Sequence, residues 1–198
     1  MKRNEIFRLI FVNPFEKIAG WQALGLGLIF IILTALIGSY NGAYFDGALD
    51  MHTNGKAYSF WAAFAMLNID LASIIIMFLL AGLIFSKNFR VIDVIGTTYL
   101  AKAPTLFLAL TAFFPQPEFI DMIFENPEVF ISNPNIIFSS VSFFAIILLS
   151  IPILIWTIVL FYNAFKVSLN IRKNNSVIFI FAIVLAEIIS KIFINILF

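Results

Sequence analysis

Residues 176–198 read SVIFIFAIVLAEIISKIFINILF. Glu187 and Lys191 are the only charges in this run, and aliphatic or aromatic side chains fill almost every turn. A helix needs roughly 20 such residues to cross a ~30 Å hydrocarbon core. The stretch therefore predicts a membrane-spanning helix. Four further apolar runs meet the same requirement: Ile18–Ser39, Met66–Phe85, Val91–Phe114 and Ile136–Phe161. Backbone polar groups in lipid must be satisfied within the segment, so runs of this length are helices. The fold class is all-α, a polytopic bundle of five transmembrane helices forming a single membrane domain over residues 1–198.

Composition agrees. The chain is 62% hydrophobic and 12% charged, against about 25% charged for an average soluble domain. Five spans in 198 residues leave only short connections. A net charge of +1 provides no general attraction to nucleic acid, and none is expected as a partner. The absence of cysteine excludes disulfides, thiolate metal sites and cysteine nucleophiles. The basic start, Lys2 and Arg3, lies too far from the first apolar run for a cleavable signal peptide, and that run exceeds a signal core.

Charges between the runs sort by sign. Lys2, Arg3, Arg8 and Lys17 precede the first span, Lys87 and Arg90 follow the second, and Lys166, Arg172 and Lys173 follow the fourth. A five-span path puts these on one side. The other side receives Lys56 with Asp46, Asp50, Glu118, Asp121, Glu125 and Glu128. Cationic flanks stay cytoplasmic, which predicts an N-terminus inside and a C-terminus outside. The expected location is a cell membrane of bacterial inner-membrane type.

Four ionisable residues fall well inside spans: Asp70, Lys102, Glu187 and Lys191. Each costs at least ~2.5–3.5 kcal/mol at mid-bilayer and needs a partner or water. At ~1.5 Å per residue, Lys102 and Glu187 come out roughly 16 Å from the cytoplasmic ends of their spans, and Asp70 and Lys191 about 22 Å. Matching by depth predicts the pairs Lys102–Glu187 and Asp70–Lys191. Glu187 and Lys191 are also i, i+4 on one helix. Thr98 and Thr105 share the Lys102 face and can donate to the same cluster. Two readings stand. One is a charge-balanced knot that fixes helix register. The other is a proton or ion relay, or a seat for a polar ligand.

Local signals refine the path. Ile6, Leu9 and Ile10, with Arg3 and Arg8 among them, predict a short N-terminal helix lying in the interface. Asn13-Pro14 with Glu16 predicts a capped helix start. Trp21 suits the inner interface. Small residues four apart, Ala23 and Gly27, Thr34 and Gly38, then Thr97, Ala101, Thr105 and Ala109, predict close helix packing in lipid. The outer loop from Tyr40 reads as irregular, and Tyr58–Ala65 either lies in the interface or extends the second span. Residues 117–125 predict a short amphipathic helix on the outer surface. Pro152 removes the bond to the Leu148 carbonyl and predicts a kink in the fourth span. Asp93 is expected to pair with Lys87 and Arg90, and His52 to be a solvated loop histidine.

No hydrolase, phosphate-binding or dinucleotide motif occurs, and no cofactor or metal site is expected. Two stretches resemble the Yip family of membrane proteins. One is the lead-in Phe11-Val-Asn-Pro-Phe-Glu-Lys-Ile18. The other is Ile155-Trp-Thr-Ile-Val-Leu-Phe-Tyr-Asn-Ala-Phe-Lys166, followed by a short basic loop and a last apolar helix. Val91–Pro104 is similar to the family's proline-bearing third span. The resemblance implies a five-span, non-enzymatic protein, prokaryotic here. Eukaryotic members partner Rab-type GTPases through an N-terminal cytosolic region. Only residues 1–17 precede the first span in this chain, which argues against GTPase binding. The expected function is a membrane scaffold or interaction protein, with lipids, a second copy or other membrane proteins as partners. The alternative is a small ion-coupled or proton-coupled transporter using the charged cluster.

Overall fold

The computed structural model describes residues 11–53, 56–86, 88–114, 128, 141–171 and 175–198, with backbone alone at 141–143. The N-terminal interfacial helix, apart from Phe11 and Val12, and the amphipathic segment at 117–125 lie outside these residues. So do Lys87, Arg172 and Lys173.

Among the described residues, five helices are long and apolar enough to cross a membrane. This is a multi-pass membrane protein. The helices are α1 (Gly20–Asn41), α2 (Phe60–Phe85), α3 (Val91–Ala101), α4 (Thr105–Leu110), α5 (Val141–Ser168) and α6 (Ser176–Leu197). α3, α4 and a 3-10 turn at Thr111–Phe113 together make the third span. Residues 58–65 divide, with Phe60 onward extending the second span.

The small-residue faces meet. α1 packs along α3, and a Cβ added at Gly27 would lie 2.6 Å from the Leu100 nitrogen. Ala23, Thr97 and Ala101 are fully buried beside this crossing. Lipid supplies no hydrophobic drive between helices, so such backbone approach provides the dispersion contact that holds them. α1 begins at Gly20 rather than at the Asn13-Pro14 signal. Pro14–Glu16 forms only a 3-10 turn, because the Asn13 amide donates to Glu16 Oε1 at 2.9 Å instead of capping backbone. The chain then turns at Gly20, whose φ of +55° suits glycine, and its carbonyl lies where a side chain at position 96 would have to go.

The third span breaks at Lys102-Ala103-Pro104. Pro104 has no N–H, and its ring excludes the carbonyl four residues back. The Leu100 carbonyl instead accepts from Ala103, and Thr105 donates to the Lys102 carbonyl at 3.0 Å. At Pro152, by contrast, the helix runs on, with the proline exposed on the outside of α5.

Two apolar clusters fill the bundle. Phe78, Phe165 and Phe179 centre one of them, their ring centroids 5.0–6.2 Å apart. The other holds Ile31, Phe45, Met66, Leu71 and Ile194. The lead-in at 11–18 and the stretch at 155–166 also touch. Trp156 Nε1 donates to the Phe11 carbonyl at 2.7 Å, and Asn163 Nδ2 donates to that of Val12 at 2.8 Å.

Candidate functional site: charged side chains around an inserted hairpin

The α1–α2 connection is not an irregular surface loop. Gly42, at φ +79°, ends α1 and turns the chain back into the bundle. Two short antiparallel strands, β1 (Ala43–Tyr44) and β2 (His52–Thr53), pair as Ala43 with Thr53 and Tyr44 with His52. Ala43, Phe45 and Ala48 are completely buried. Phe45 fills the space over Gly38, where a Cβ would lie 2.6 Å from its ring. Tyr58 closes the base, its hydroxyl donating to the Ala43 carbonyl at 2.5 Å, and burial pushes that phenol up from its ordinary value.

Non-helical backbone inside a membrane protein needs internal partners, and here the charges in the spans provide them. Lys102 Nζ donates to the Ala48 carbonyl at 2.6 Å and to Asp70 Oδ2 at 3.2 Å. The next residue, Leu49, donates its N–H to Glu187 Oε2 at 2.9 Å. The one after, Asp50, pairs through Oδ2 with Lys191 Nζ at 2.7 Å. Three consecutive hairpin residues are thus each held by a different ionisable side chain. A Cβ at Gly47 would overlap the Glu187 carboxylate, so a larger residue there would push that side chain away from the Leu49 N–H.

The cluster has two tiers. Asp70 and Lys102 are 0% and 2% exposed, and the Ser190 hydroxyl donates to Asp70 Oδ1. Lys191, Asp50 and Glu187 are 40%, 48% and 23% exposed, with Lys191 Nζ 3.5 Å from Glu187 Oε1. The Lys191 hydrogen bond holds the Asp50 carboxyl below the usual carboxylate range.

This corrects the pairing predicted from depth. Lys102 meets Asp70 rather than Glu187, and Lys191 meets Asp50 and Glu187 rather than Asp70. Depth ignores the direction in which a residue faces. The buried stripe of α6 runs Phe179, Ala182, Ile183, Ala186, Ser190 and Ile194. Ser190 lies on it, whereas Glu187 and Lys191 each lie one residue, about 100°, further round. Thr98 does not reach the cluster either. Its hydroxyl donates to the Val94 carbonyl at 2.7 Å. Thr105 is buried beside the helix break. Asp93 lies 3.7 Å from Arg90 Nε. His52 is more than a solvated loop residue: its Nδ1 lies 3.3 Å from Asp46 Oδ1 and its ring 5.0 Å from that of Tyr44.

Sequence reasoning missed Asp50, Ser190 and the two backbone groups. A usable signal was present in Gly42, Ala43, Gly47 and Ala48, small residues in a connection where none is needed unless backbone must pass close to a neighbour.

Beside the hairpin, between it and helices α4 and α5, lies an open cavity of about 430 Å³. Among the described residues, no group of three or more His, Asp or Glu side chains converges as a metal site requires. No protein-family model matches this chain, and no curated protein or solved structure matches it either.

Proposed function

We propose that this chain is a non-enzymatic membrane scaffold or interaction protein of the Yip type, in a bacterial inner membrane with its N-terminus cytoplasmic. The observation that carries the reading is the burial of the Asp70–Lys102 pair. Both carboxylate oxygens of Asp70 are bonded, one by Ser190 and one by Lys102, and the ammonium also holds Ala48. A relay site needs water or an open hydrogen-bond position to pass a proton on, whereas a structural lock needs every group occupied. Buried ion pairs serve conformational specificity in some proteins, and here the specific product is the hairpin position. The kinship with the Yip family rests on the residues quoted above and belongs to this proposal.

The second reading is a small proton- or ion-coupled carrier. Two observations favour it: the helix break at Lys102–Pro104 and the cavity beside Asp50 and His52. Ion and proton flux in proteoliposomes separates the two. A scaffold gives no flux above empty vesicles, and its Lys102→Met variant folds poorly. Flux in the native chain that disappears in folded Glu187→Gln and Lys102→Met variants would replace the scaffold with a carrier.

A further inference from the structure

Trp156 stands in the middle of a span, where tryptophan is out of place. Its ring prefers the membrane–water interface, and its N–H needs an acceptor that hydrocarbon does not offer. At ~1.5 Å per residue, Trp156 lies about 18 Å and Asn163 about 8 Å from the Ser168 end of α5. Both side chains donate to the same short piece of main chain, Trp156 to the Phe11 carbonyl and Asn163 to that of Val12. The Phe11 ring lies 5.5 Å from the Trp156 ring, which on its other side meets Phe107 of α4 at 6.0 Å. Phe11 and Val12 are therefore drawn along α5 to a depth where a free carbonyl would be costly, below the interface that the sequence pattern predicts for them. The next residues turn inward. Asn13, Pro14 and Phe15 are buried, and Phe15 joins the apolar cluster of Phe78, Val94, Phe165 and Phe179.

We propose that residues 11–16 are a strap inside the membrane, held at its carbonyls by Trp156 and Asn163, that ties α5 to the rest of the bundle. Among the described residues, α5 is the least buried span, 17% against 33–50% for the others. Lipid supplies no hydrophobic drive to hold a helix with so little contact. The strap supplies the missing tie. One end is bonded to the lipid side of α5, its middle is packed into the core through Phe15, and its other end continues covalently into α1. Releasing the strap frees α5. The inference goes beyond a scaffold reading and holds equally for a carrier.

The chain contains no cysteine, so single thiols report one site each. Val12→Cys, Lys17→Cys and Ile155→Cys are reconstituted in phosphatidylethanolamine–phosphatidylglycerol discs and labelled with a water-soluble maleimide. Ile155, exposed next to Trp156, marks mid-span lipid, and Lys17 marks the aqueous side. Apolar surroundings raise a thiol's pKa, and each unit costs about tenfold in thiolate. We expect Val12→Cys to label about tenfold or more slowly than Lys17→Cys, close to Ile155→Cys. Replacing both donors, Trp156→Phe with Asn163→Leu, should bring the Val12→Cys rate up to that of Lys17→Cys and leave Ile155→Cys slow, since α5 still spans. Thr157, 5% exposed, reports the seating of α5. Thr157→Cys should resist N-ethylmaleimide in the native background and label severalfold faster without the donors. Oxidising the pair Val12→Cys and Asn163→Cys should close a disulfide within one chain. Four results would overturn the proposal: Val12→Cys as reactive as Lys17→Cys in the native background, a Val12→Cys rate indifferent to loss of both donors, Thr157→Cys still protected without them, or a disulfide that joins two copies. The first and last need no donor-free variant, so the proposal stays testable even if that variant misfolds.

Discussion

Lys102 joins two roles that the one-dimensional chain keeps apart. It sits at the break before Pro104, and its four-carbon stem brings the ammonium to Asp70 and the Ala48 carbonyl together. Lys102→Met should therefore strand a buried carboxylate and release the hairpin, a loss of about 3–5 kcal/mol by the usual cost of breaking a buried pair. Thermal unfolding in detergent would show it. The double variant Lys102→Met with Asp70→Asn should recover part of the loss, because no charge is then left unpaired; a double variant worse than the sum of the singles would refute this. Asp50 leads to a prediction in pH. Its folded pKa lies below the unfolded value of 3.8, chiefly because Lys191 donates to it. Its contribution is thus complete above about pH 4 and disappears as pH falls through the lowered value. Protease cutting between residues 42 and 59 should rise at that acid end in the native chain. In Lys191→Gln the rise should begin nearer pH 4. Of these residues, the ionisable four inside the spans were legible from hydropathy alone. Asp50 was read only as an outer-loop charge, since nothing local distinguishes a solvated aspartate from one that meets a helix far along the chain.

Helices and their crossings were more legible than their contacts. The apolar runs found every span, and the four-residue spacing of small side chains found the α1–α3 face. That spacing works because it reflects a geometric need: Gly27 leaves room for the backbone of the facing helix, as does Gly96, which the spacing did not single out. Gly27→Leu should consequently separate α1 from α3. Overpacking typically costs 1–3 kcal/mol, and here the obstacle is backbone rather than a flexible side chain, so about 3 kcal/mol or more is expected. Gly25 is the control, because a Cβ there meets nothing within 4 Å. Gly25→Ala should leave the melting temperature unchanged, and similar losses at both positions would refute the assigned face. The third span shows where pattern reading stops. Pro104 and Pro152 both lie within apolar runs, yet the assigned helix breaks at one and continues through the other. Near Pro104 the released geometry is used, with Lys102 turned inward onto the hairpin. Pro152 faces outward from α5, and composition does not encode that difference.

For the whole molecule, charge bias makes a prediction that hydropathy cannot. With the N-terminus inside and five spans, Phe198→Cys should react with a membrane-impermeant maleimide in intact cells, and Lys17→Cys should react only after lysis. The opposite pattern would invert the proposed orientation and place the cavity on the cytoplasmic side. The hairpin, the cavity, Asp50 and the Lys191 end of α6 all lie toward the same end of the bundle, the predicted outer one. By itself the sequence determined that this chain is a multi-pass membrane protein of five helices, and its flanking charges predict an orientation. Transfer free energy and flanking charge add up residue by residue along a segment, so both can be read without a fold. Only the tertiary structure decided that the intramembrane charges hold a hairpin. Which groups meet depends on the azimuth of each helix and on a connection folding inward, and both are settled by packing between residues far apart in the chain.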